Sequence, residues 1–377
     1  MKYYIIAGEA SGDLHGANLM KALKRHDPQA DFRFWGGDRM AAEGGVPVKH
    51  IRDLAFMGFA EVVTHARTIL RNLDLCKRDI LSYAPDAVVM IDYPGFNLKI
   101  ADFAHQRGLK TFFYISPQVW AWKQRRLQSM RRDLDHLYYI LPFEQPFYAE
   151  HDFPQAHYVG HPLLDEVDRY RVEQPSTTPA SDEKQIALLP GSRKQEISRT
   201  LPAMIYVARQ YPRYRFVVAG MSLLGEDYYR NQLKQATRHC PDNVSLVMDD
   251  TYGVLSNSYA AIVCSGTATL ETALFNVPQV VCYKGNALSA AIARRVLKVK
   301  YVSLVNLILD RPAVCELLQQ DFTNTSLNYE FALLTSNDDY RRRMLASYDE
   351  LRTALGDTGA SDRTAQHIVR CLKSAEQ

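Results

Sequence analysis

No run of apolar residues in this 377-residue chain approaches the roughly 18 that a membrane-crossing helix requires. The apolar stretch Tyr3–Ala7 is too short for a signal-peptide core and runs at once into Glu9 and Asp13, so residence in the cytosol is expected. Excess charge of one sign is also missing. Lys and Arg number 45 against 42 Asp and Glu, a formal net charge of +3, which argues against a nucleic-acid binder held by a basic field. The six cysteines (Cys76, Cys240, Cys264, Cys282, Cys315, Cys371) form no CxxC pair, the usage of a reducing compartment, and supply no metal framework. Cys264 and Cys282 lie inside apolar strand-like runs and read as small core residues. HExxH is absent and Asp249-Asp250 has no obvious further ligands, so no obligatory metal is expected. Glycines at 8, 12 and 16 do not make GxGxxG, and no GxxxxGK precedes a Ser or Thr. A nicotinamide enzyme or a P-loop ATPase therefore has little support, and no cofactor is called for.

Of what is present, 47% is hydrophobic, enough for substantial cores, and the length exceeds what one ordinary core organises. Strand-like runs in the first half are Tyr3–Ala7, Ala87–Ile91, Lys110–Ile115, His136–Ile140 and Ala156–Val159. Those in the second are Gln185–Leu189, Tyr214–Ala219, Val244–Met248, Ala261–Cys264 and Gln279–Tyr283. Helical patterns between nearly all of them predict an α/β protein with parallel, doubly wound sheets. Val167–Lys184 is polar, contains Pro175 and Pro179, and is the one convincing linker. Two Rossmann-like domains are expected, at 1–166 and 183–345. A helical tail at 346–377 would pack back on the first domain or on a partner subunit. Ligands of open α/β sheets bind beyond the carboxyl ends of the strands, so the two domains are expected to face each other across a cleft.

Two small-residue stretches in the second half each precede a helical pattern. Leu188-Leu189-Pro190-Gly191-Ser192-Arg193 closes one strand-like run, and Ser265-Gly266-Thr267-Ala268-Thr269-Leu270-Glu271 follows another. A strand ending in Gly and Ser lets backbone N–H groups approach an anion, and the helix starting there turns its positive end toward it. Arg193 adds a forked cation suited to phosphate oxygens, and Glu271 a carboxylate able to grip ribose hydroxyls. Two such half-sites in one domain suggest a nucleotide-diphosphate pocket built from Gly191, Ser192, Arg193, Ser265, Gly266, Thr267 and Glu271.

The first half has its own strand-end motifs, Gly8-Glu9-Ala10-Ser11-Gly12-Asp13 and Asp92-Tyr93-Pro94-Gly95-Phe96-Asn97. Asp92 is a candidate general base. The alternative is that it caps the following helix, a role Asn97 can also fill. His161 in Val159-Gly160-His161-Pro162 can close a strand-end turn but is weak evidence of catalysis. Phe59, Val62, Val63, Ala66, Ile69, Leu70 and Leu73 recur at helical spacing, opposite a face that carries His65, Arg67 and Arg71. This stripe is either an ordinary core face or a lipid-facing surface whose contacts would be Val62, Val63, Ile69 and Leu70. Two basic clusters, Lys123–Arg132 and Arg294–Lys300, are either solvated faces or patches for anionic lipid. Trp120 and Trp122 read as packing anchors.

Taken together, GEASGDLHGA (Gly8–Ala17), DYPGFN (Asp92–Asn97), ISPQVWAWKQRR (Ile115–Arg126), LPFE (Leu141–Glu144), VGHPLLD (Val159–Asp165), LLPGSR, SGTATLE and YVSLVN (Tyr301–Asn306) resemble the lipid-A-disaccharide synthase family in kind and order over roughly residues 3–310. The resemblance implies a GT-B fold and an inverting glycosyltransferase. That enzyme joins UDP-2,3-diacylglucosamine to 2,3-diacylglucosamine 1-phosphate, giving a β-1,6-linked disaccharide phosphate and UDP. By matched position, Asp92 resembles the general base, Arg193 the cation on the donor phosphates and Asn306 a further essential polar residue. Glu9 and Ser11 fall on the acceptor side. The sequence departs from the family at Gly95, where many relatives carry a second Asp, and at Val305, which replaces a common Pro and is expected to loosen its loop. The acylated substrates imply a cytoplasmic enzyme held peripherally on the inner membrane at an anionic surface, with a homodimer allowed and no nucleic acid. A UDP-sugar 2-epimerase of the same fold, or a non-catalytic UDP-sugar-binding membrane protein, are the alternatives.

Overall fold

A computed structural model describes all residues except 55–65, 122, 175–183, 237–240, 286–299 and 376–377. The chain divides into two compact units, one of Met1–Pro162 with Asp357–Gln377 and one of Leu163–Gly356. The helix Asp338–Leu355 stays with the second unit, so the segment that returns to the first begins at 357 rather than 346.

The first unit is built on β1 (Lys2–Ala7), β2 (Asp31–Gly36), β3 (Val46–His50), β4 (Ala87–Ile91), β5 (Lys110–Tyr114), β6 (His136–Tyr139) and β7 (Ala156–Tyr158). They form a seven-stranded sheet in the order β3-β2-β1-β4-β5-β6-β7, with every pairing parallel. Parallel strands need helical crossovers, and crossovers cover both faces. That is why Ala87-Val88-Val89-Met90-Ile91 is buried at every position rather than alternating. The helix Ala360–Ala375 packs on the helix Ala10–His26. Asp362 fixes its first turn, pairing with Arg25 at 2.7 Å and His26 at 3.0 Å.

Sequence reading missed β2 and β3. In β2 the charged Arg33 interrupts the apolar run, but its guanidinium forks onto Asp79 at 2.6 and 2.8 Å. Tyr4 Oη also donates to Asp79, at 2.8 Å, and accepts from Trp35 Nε1 at 2.8 Å. A charge in a strand is tolerated when it is paired and hydrogen-bonded this way. β3 is an edge strand whose Val46 is exposed, and edges carry little hydrophobic signal.

The second unit repeats the plan with β8 (Gln185–Leu189), β9 (Arg215–Gly220), β10 (Val244–Met248), β11 (Ser258–Cys264), β12 (Gln279–Tyr283) and β13 (Cys315–Leu318). The order is β10-β9-β8-β11-β12-β13, again parallel throughout. Its core runs from Ile186 and Leu188 through Phe216, Ile262 and Val280 to Phe331 and Tyr348. Sequence reading missed the edge strand β13, where Glu316 breaks the run.

Within the stripe singled out as core or lipid contact, Phe59, Val62 and Val63 lie outside the described residues. The helix Ala66–Tyr83 turns Leu73, Cys76 and Ile80 into the core, and Ile69 packs partly against that core rather than facing outward. Leu70 is 57% exposed, beside exposed Arg67 and Arg71. Leu73→Ala is therefore expected to cost about 2–5 kcal/mol of stability, as a truncation in a packed core does. Leu70→Ala should stay within about 0.5 kcal/mol. Urea denaturation of the two variants measures both, and equal losses would place Leu70 in the core as well.

Candidate functional site

Each sheet has one point where the strand order reverses. In the first unit β1 lies beside β4, with β2 and β3 to one side and β5 to β7 to the other. In the second, β8 lies beside β11 in the same relation. At such a point the connections leave to opposite faces, and a crevice opens beyond the carboxyl ends of the two strands. All four strand-end motifs sit at these two crevices.

In the first unit Ala7 pairs with Ile91, so Gly8-Glu9 and Asp92-Tyr93 leave adjacent strands at the same level. Asp92 (φ 45°) and Tyr93 (φ 51°) are both left-handed, a conformation that costs of order 1 kcal/mol or more per residue and persists only when its surroundings enforce it. Asn97 supplies part of that enforcement. Its buried amide donates to the Asp92 carbonyl at 2.7 Å and lies 3.3 and 3.4 Å from the carbonyls of Ile91 and Ile6. It therefore ties the strand ends together and does not cap the helix Pro94–Gln106, whose N-cap is Tyr93. The Tyr93 ring lies over Gly8, where an added Cβ would come within 2.4 Å of it, so this position excludes any side chain. Burial and then the Glu9 carboxylate push the Tyr93 phenol above its usual range. Glu9 is the N-cap of the helix Ala10–His26 and Ser11 lies in its first turn, both half-buried. Asp13 of the same motif is structural: it accepts from the backbone N–H groups of Gly37 (2.6 Å), Arg39 (3.1 Å) and Met40 (3.1 Å). Gly95 has open space where a side chain would stand.

In the second unit Gly191 has φ +119°, and an added Cβ would meet the Glu196 side chain at 2.7 Å. The helix Lys194–Gln210 starts there with Arg193 as its N-cap. Glu196 Oε2 accepts from the N–H groups of Ser192 (3.1 Å) and Arg193 (3.3 Å), and its Oε1 lies 3.6 Å from Arg193 Nη1. Two amides and a guanidinium thus converge on carboxylate oxygens, closing a capping box on the first turn of that helix. Across the crevice Gly266 is the N-cap of the helix Thr267–Leu274, with open space around its Cα. Glu271, half-buried in that helix, accepts from Tyr252 Oη at 3.0 Å. Tyr252 is itself packed against Phe275 and Tyr170.

Asn306 is tied into its surroundings at both ends of its side chain. It is buried, and both ends of its amide are used inside its own unit. Nδ2 donates to Val314 O at 2.9 Å and Glu316 Oε1 at 2.8 Å, while Oδ1 accepts from Ala313 N at 2.8 Å and Val314 N at 2.9 Å. Asn306 therefore holds the Ala313–Glu316 segment in place. Glu316, which sequence reading missed, completes the lock by accepting from Val302 N, Ser303 N and Ser303 Oγ. The loop expected to be loosened by Val305 is tied down instead, and Val305 itself is fully buried. Ser265 Oγ donates to Val302 O at 3.3 Å, which joins this loop to the Ser265–Glu271 motif.

Other expectations resolve more simply. Asp250 caps the helix Thr251–Ser256 through Gly253 N, and Asp249 accepts from Ser222 N, so the acidic pair has turn-forming work. His161 is buried with a pKa near 3, lowered first by desolvation and then by the charge of His15. Trp120 meets Phe143 edge-on at 4.7 Å, and Trp122 lies outside the described residues. Of the basic clusters, Arg132 pairs with Asp133 and Asp102, and Lys300 with Asp310. Arg294, Arg295 and Lys298 lie outside the described residues.

Two parallel doubly wound units, each with glycine-rich loops at its switch point, define the GT-B class of nucleotide-sugar proteins. Solved structures of that fold agree over nearly the whole chain. A UDP-GlcNAc 2-epimerase from Neisseria meningitidis has a TM-score of 0.68 at 12% identity, covering 99% of this chain and 100% of its own. The glycotransferase of kitacinnamycin has a TM-score of 0.68 at 15% identity, covering 98% and 99%. At such identities the likeness is one of fold alone. The family model for lipid-A-disaccharide synthetase matches residues 3–369. The lipid-A-disaccharide synthase of Syntrophus aciditrophicus is 36% identical over 379 aligned residues, covering 99% of this chain and 98% of that protein. That of Coxiella burnetii is 35% identical over 380, covering 98% of each. The chain belongs to the lipid-A-disaccharide synthase family, and it is a glycosyltransferase.

Two predictions follow from this geometry. Asn306→Ala strands the N–H groups of Ala313 and Val314 and removes a donor from Glu316, at roughly 1–3 kcal/mol for each buried group left unpaired. Stability and UDP affinity should fall together; intact stability with abolished turnover would return Asn306 to direct action on substrate. The second concerns Glu144, whose carboxyl burial raises from 4.5 to about 8 against the opposing pull of the Leu141 N–H. A carboxyl held protonated in the fold stabilises it below the ordinary carboxylate range, and that contribution is lost as pH rises toward 8. The melting temperature should decline from about pH 5 to about pH 8, and Glu144→Gln should flatten that decline. An unchanged slope in the variant would assign the pH dependence to other groups.

Proposed function

We propose that the chain transfers a 2,3-diacylglucosaminyl group from UDP to the 6-hydroxyl of 2,3-diacylglucosamine 1-phosphate, with inversion at the anomeric carbon. The observation that carries this reading is the convergence of two anion-receptive loops, Gly191–Arg193 and Ser265–Thr267, on adjacent strands of one sheet. A pyrophosphate needs such a pair: the amides of Ser192 and Arg193 and the Arg193 fork on one side, the N-terminus of the helix Thr267–Leu274 on the other. Binding there requires Glu196 to give up its place at the amides to a phosphate oxygen. Glu271, held by Tyr252, takes the ribose hydroxyls.

A sugar hydroxyl is a poor nucleophile, so Asp92 accepts its proton as the oxygen attacks the anomeric carbon, while Glu9 and Ser11 line the acceptor side. General-base assistance of this kind is worth about 10²–10⁴ in rate. UDP leaves with the bonding pair, and its growing charge is met by Arg193 and the loop amides. No helix among the described residues is long and apolar enough to cross a membrane. Both substrates carry acyl chains, so the reading adds peripheral attachment to an anionic membrane surface. Leu70, Arg67 and Arg71 are its described contacts, each basic residue being worth roughly 1 kcal/mol near such a surface.

Asp92→Asn should lower turnover by about 10² or more while UDP affinity stays near wild type. Arg193→Ala should weaken UDP binding, and Arg193→Lys should restore only part of it, because a point charge does not reproduce a fork. Single-turnover kinetics with calorimetric UDP titration separate the two effects. Full activity in Asp92→Asn removes the base assignment, and unchanged UDP affinity in Arg193→Ala together with Glu271→Gln removes the donor pocket.

A further inference from the structure

Away from both switch points, the first unit gathers three imidazoles and a thiol at the free edge of its sheet. His136 opens β6, His157 lies on β7, and His367 and Cys371 sit one turn apart on the helix Ala360–Ala375. One ring nitrogen from each of the three histidines can be chosen so that all lie within 4.8 Å of one another. His136 Nδ1 is 3.1 Å from His157 Nε2, and on its other side His136 Nε2 is 3.4 Å from Cys371 Sγ. Cys371 Sγ is 3.6 Å from His367 Nδ1 and 3.9 Å from His367 Nε2. Nothing in the glycosyl transfer uses these groups.

We propose that His136, His157, His367 and Cys371 form a binding site for a divalent transition metal of the zinc class, which clamps the C-terminal helix to the sheet edge. Zn–N bonds of about 2.0–2.1 Å and a Zn–S bond of about 2.3 Å place tetrahedral ligand atoms roughly 3.3–3.6 Å apart. With His136 Nε2 and His367 Nε2 as the ligand atoms, Cys371 Sγ stands 3.4 and 3.9 Å from them, and the three histidine nitrogens, within 4.8 Å of one another, must draw together around the ion. Two nitrogens of one ring cannot serve one metal, so His136 presents either Nδ1 or Nε2 and the other three side chains rotate to meet it. Imidazole and thiolate together select zinc over magnesium or calcium, which prefer oxygen.

The surroundings fit a ligand set. Tyr138 Oη lies 2.8 Å from His367 Nδ1. In the tautomer that donates from Nδ1 to the phenol, the Nε2 lone pair is left for the metal, an outer contact of the kind that orients metal-bound histidines. All three imidazoles are half-buried, and a neutral ring is the form that ligates a metal. Arg370 and Lys110 oppose a cation here, whereas Asp135 favours it, and binding converts the Cys371 thiol to thiolate with release of its proton. A cavity of about 170 Å³ lined by Tyr138, His157, His367 and Arg370 gives an entry path.

The test is titration of the metal-stripped full chain with Co²⁺ and, separately, Zn²⁺. One equivalent of Co²⁺ should bind, with the visible bands of a tetrahedral ion and a thiolate charge-transfer band, and one equivalent of Zn²⁺ should displace it and raise the melting temperature. Cys371→Ser, a near-isosteric change, should abolish the charge-transfer band. His367→Ala, or His157→Gln if the first folds poorly, should weaken affinity by at least about tenfold. Absence of stoichiometric binding in the wild-type protein overturns the proposal. So does binding that keeps its spectrum in Cys371→Ser and its affinity in both histidine variants.

Discussion

Two neighbouring parallel strands whose connections depart to opposite faces leave a gap at their carboxyl ends that no helix can fill. That constraint governs both units. It falls between β1 and β4 in one and between β8 and β11 in the other. Every group assigned to chemistry leaves one of these four strands. Because each strand is buried on both faces, its end is anchored by the whole sheet, and loops rooted there start from a fixed position.

The loops are then held by a recurring device: a carboxylate that accepts several N–H groups from a neighbouring turn. Asp13 gathers three amides at Gly37–Met40, Glu196 two at Ser192–Arg193, and Glu316 two amides and a hydroxyl at Val302–Ser303. Hydrogen bonds to a charged group are worth roughly 1.5–3 kcal/mol each, about twice the neutral value. Asn306 accepts two amides in the same way with a neutral oxygen, whereas Asn97 ties its strand ends by donating to carbonyls. Of these five anchors, Glu196 alone faces the anion-receiving loop itself. It therefore both shapes that loop and competes for it.

How much of this was legible in the sequence follows from where the signal lies. Central strands such as Ala87–Ile91 and Gln185–Leu189 are buried at every position, apolar but for Gln185, and were readable to the residue. The strands that escaped, β2, β3 and β13, are those where Arg33 or Glu316 interrupts the run or where an edge removes the need for apolar side chains. The loops at the switch points were readable because Gly and Ser at strand ends have a local cause. The hydrogen-bond partners of Asn306 were not legible, since Val314 and Glu316 lie at the start of a strand that was not recognised. Tyr252 gave no signal at all: an aromatic after an acidic pair reads as ordinary packing until Glu271 is placed beside it. The histidine cluster was equally invisible, with His136 and Cys371 separated by 235 positions.

The first unit is finished by residues from the far end of the chain. Ala365, Ile368, Val369 and Leu372 of the last helix are buried, and that helix packs against the first one. During synthesis the helix Ala10–His26 emerges early, but the whole of the second unit must be made before its cover arrives. At about 5–20 residues per second that interval is on the order of ten to forty seconds. Through it the nascent first unit lacks the cover that Ala365, Ile368, Val369 and Leu372 provide, while the second unit is one continuous stretch of chain. A chain that ends at Gly356 thus carries every residue of the second unit and lacks the helix that covers the first.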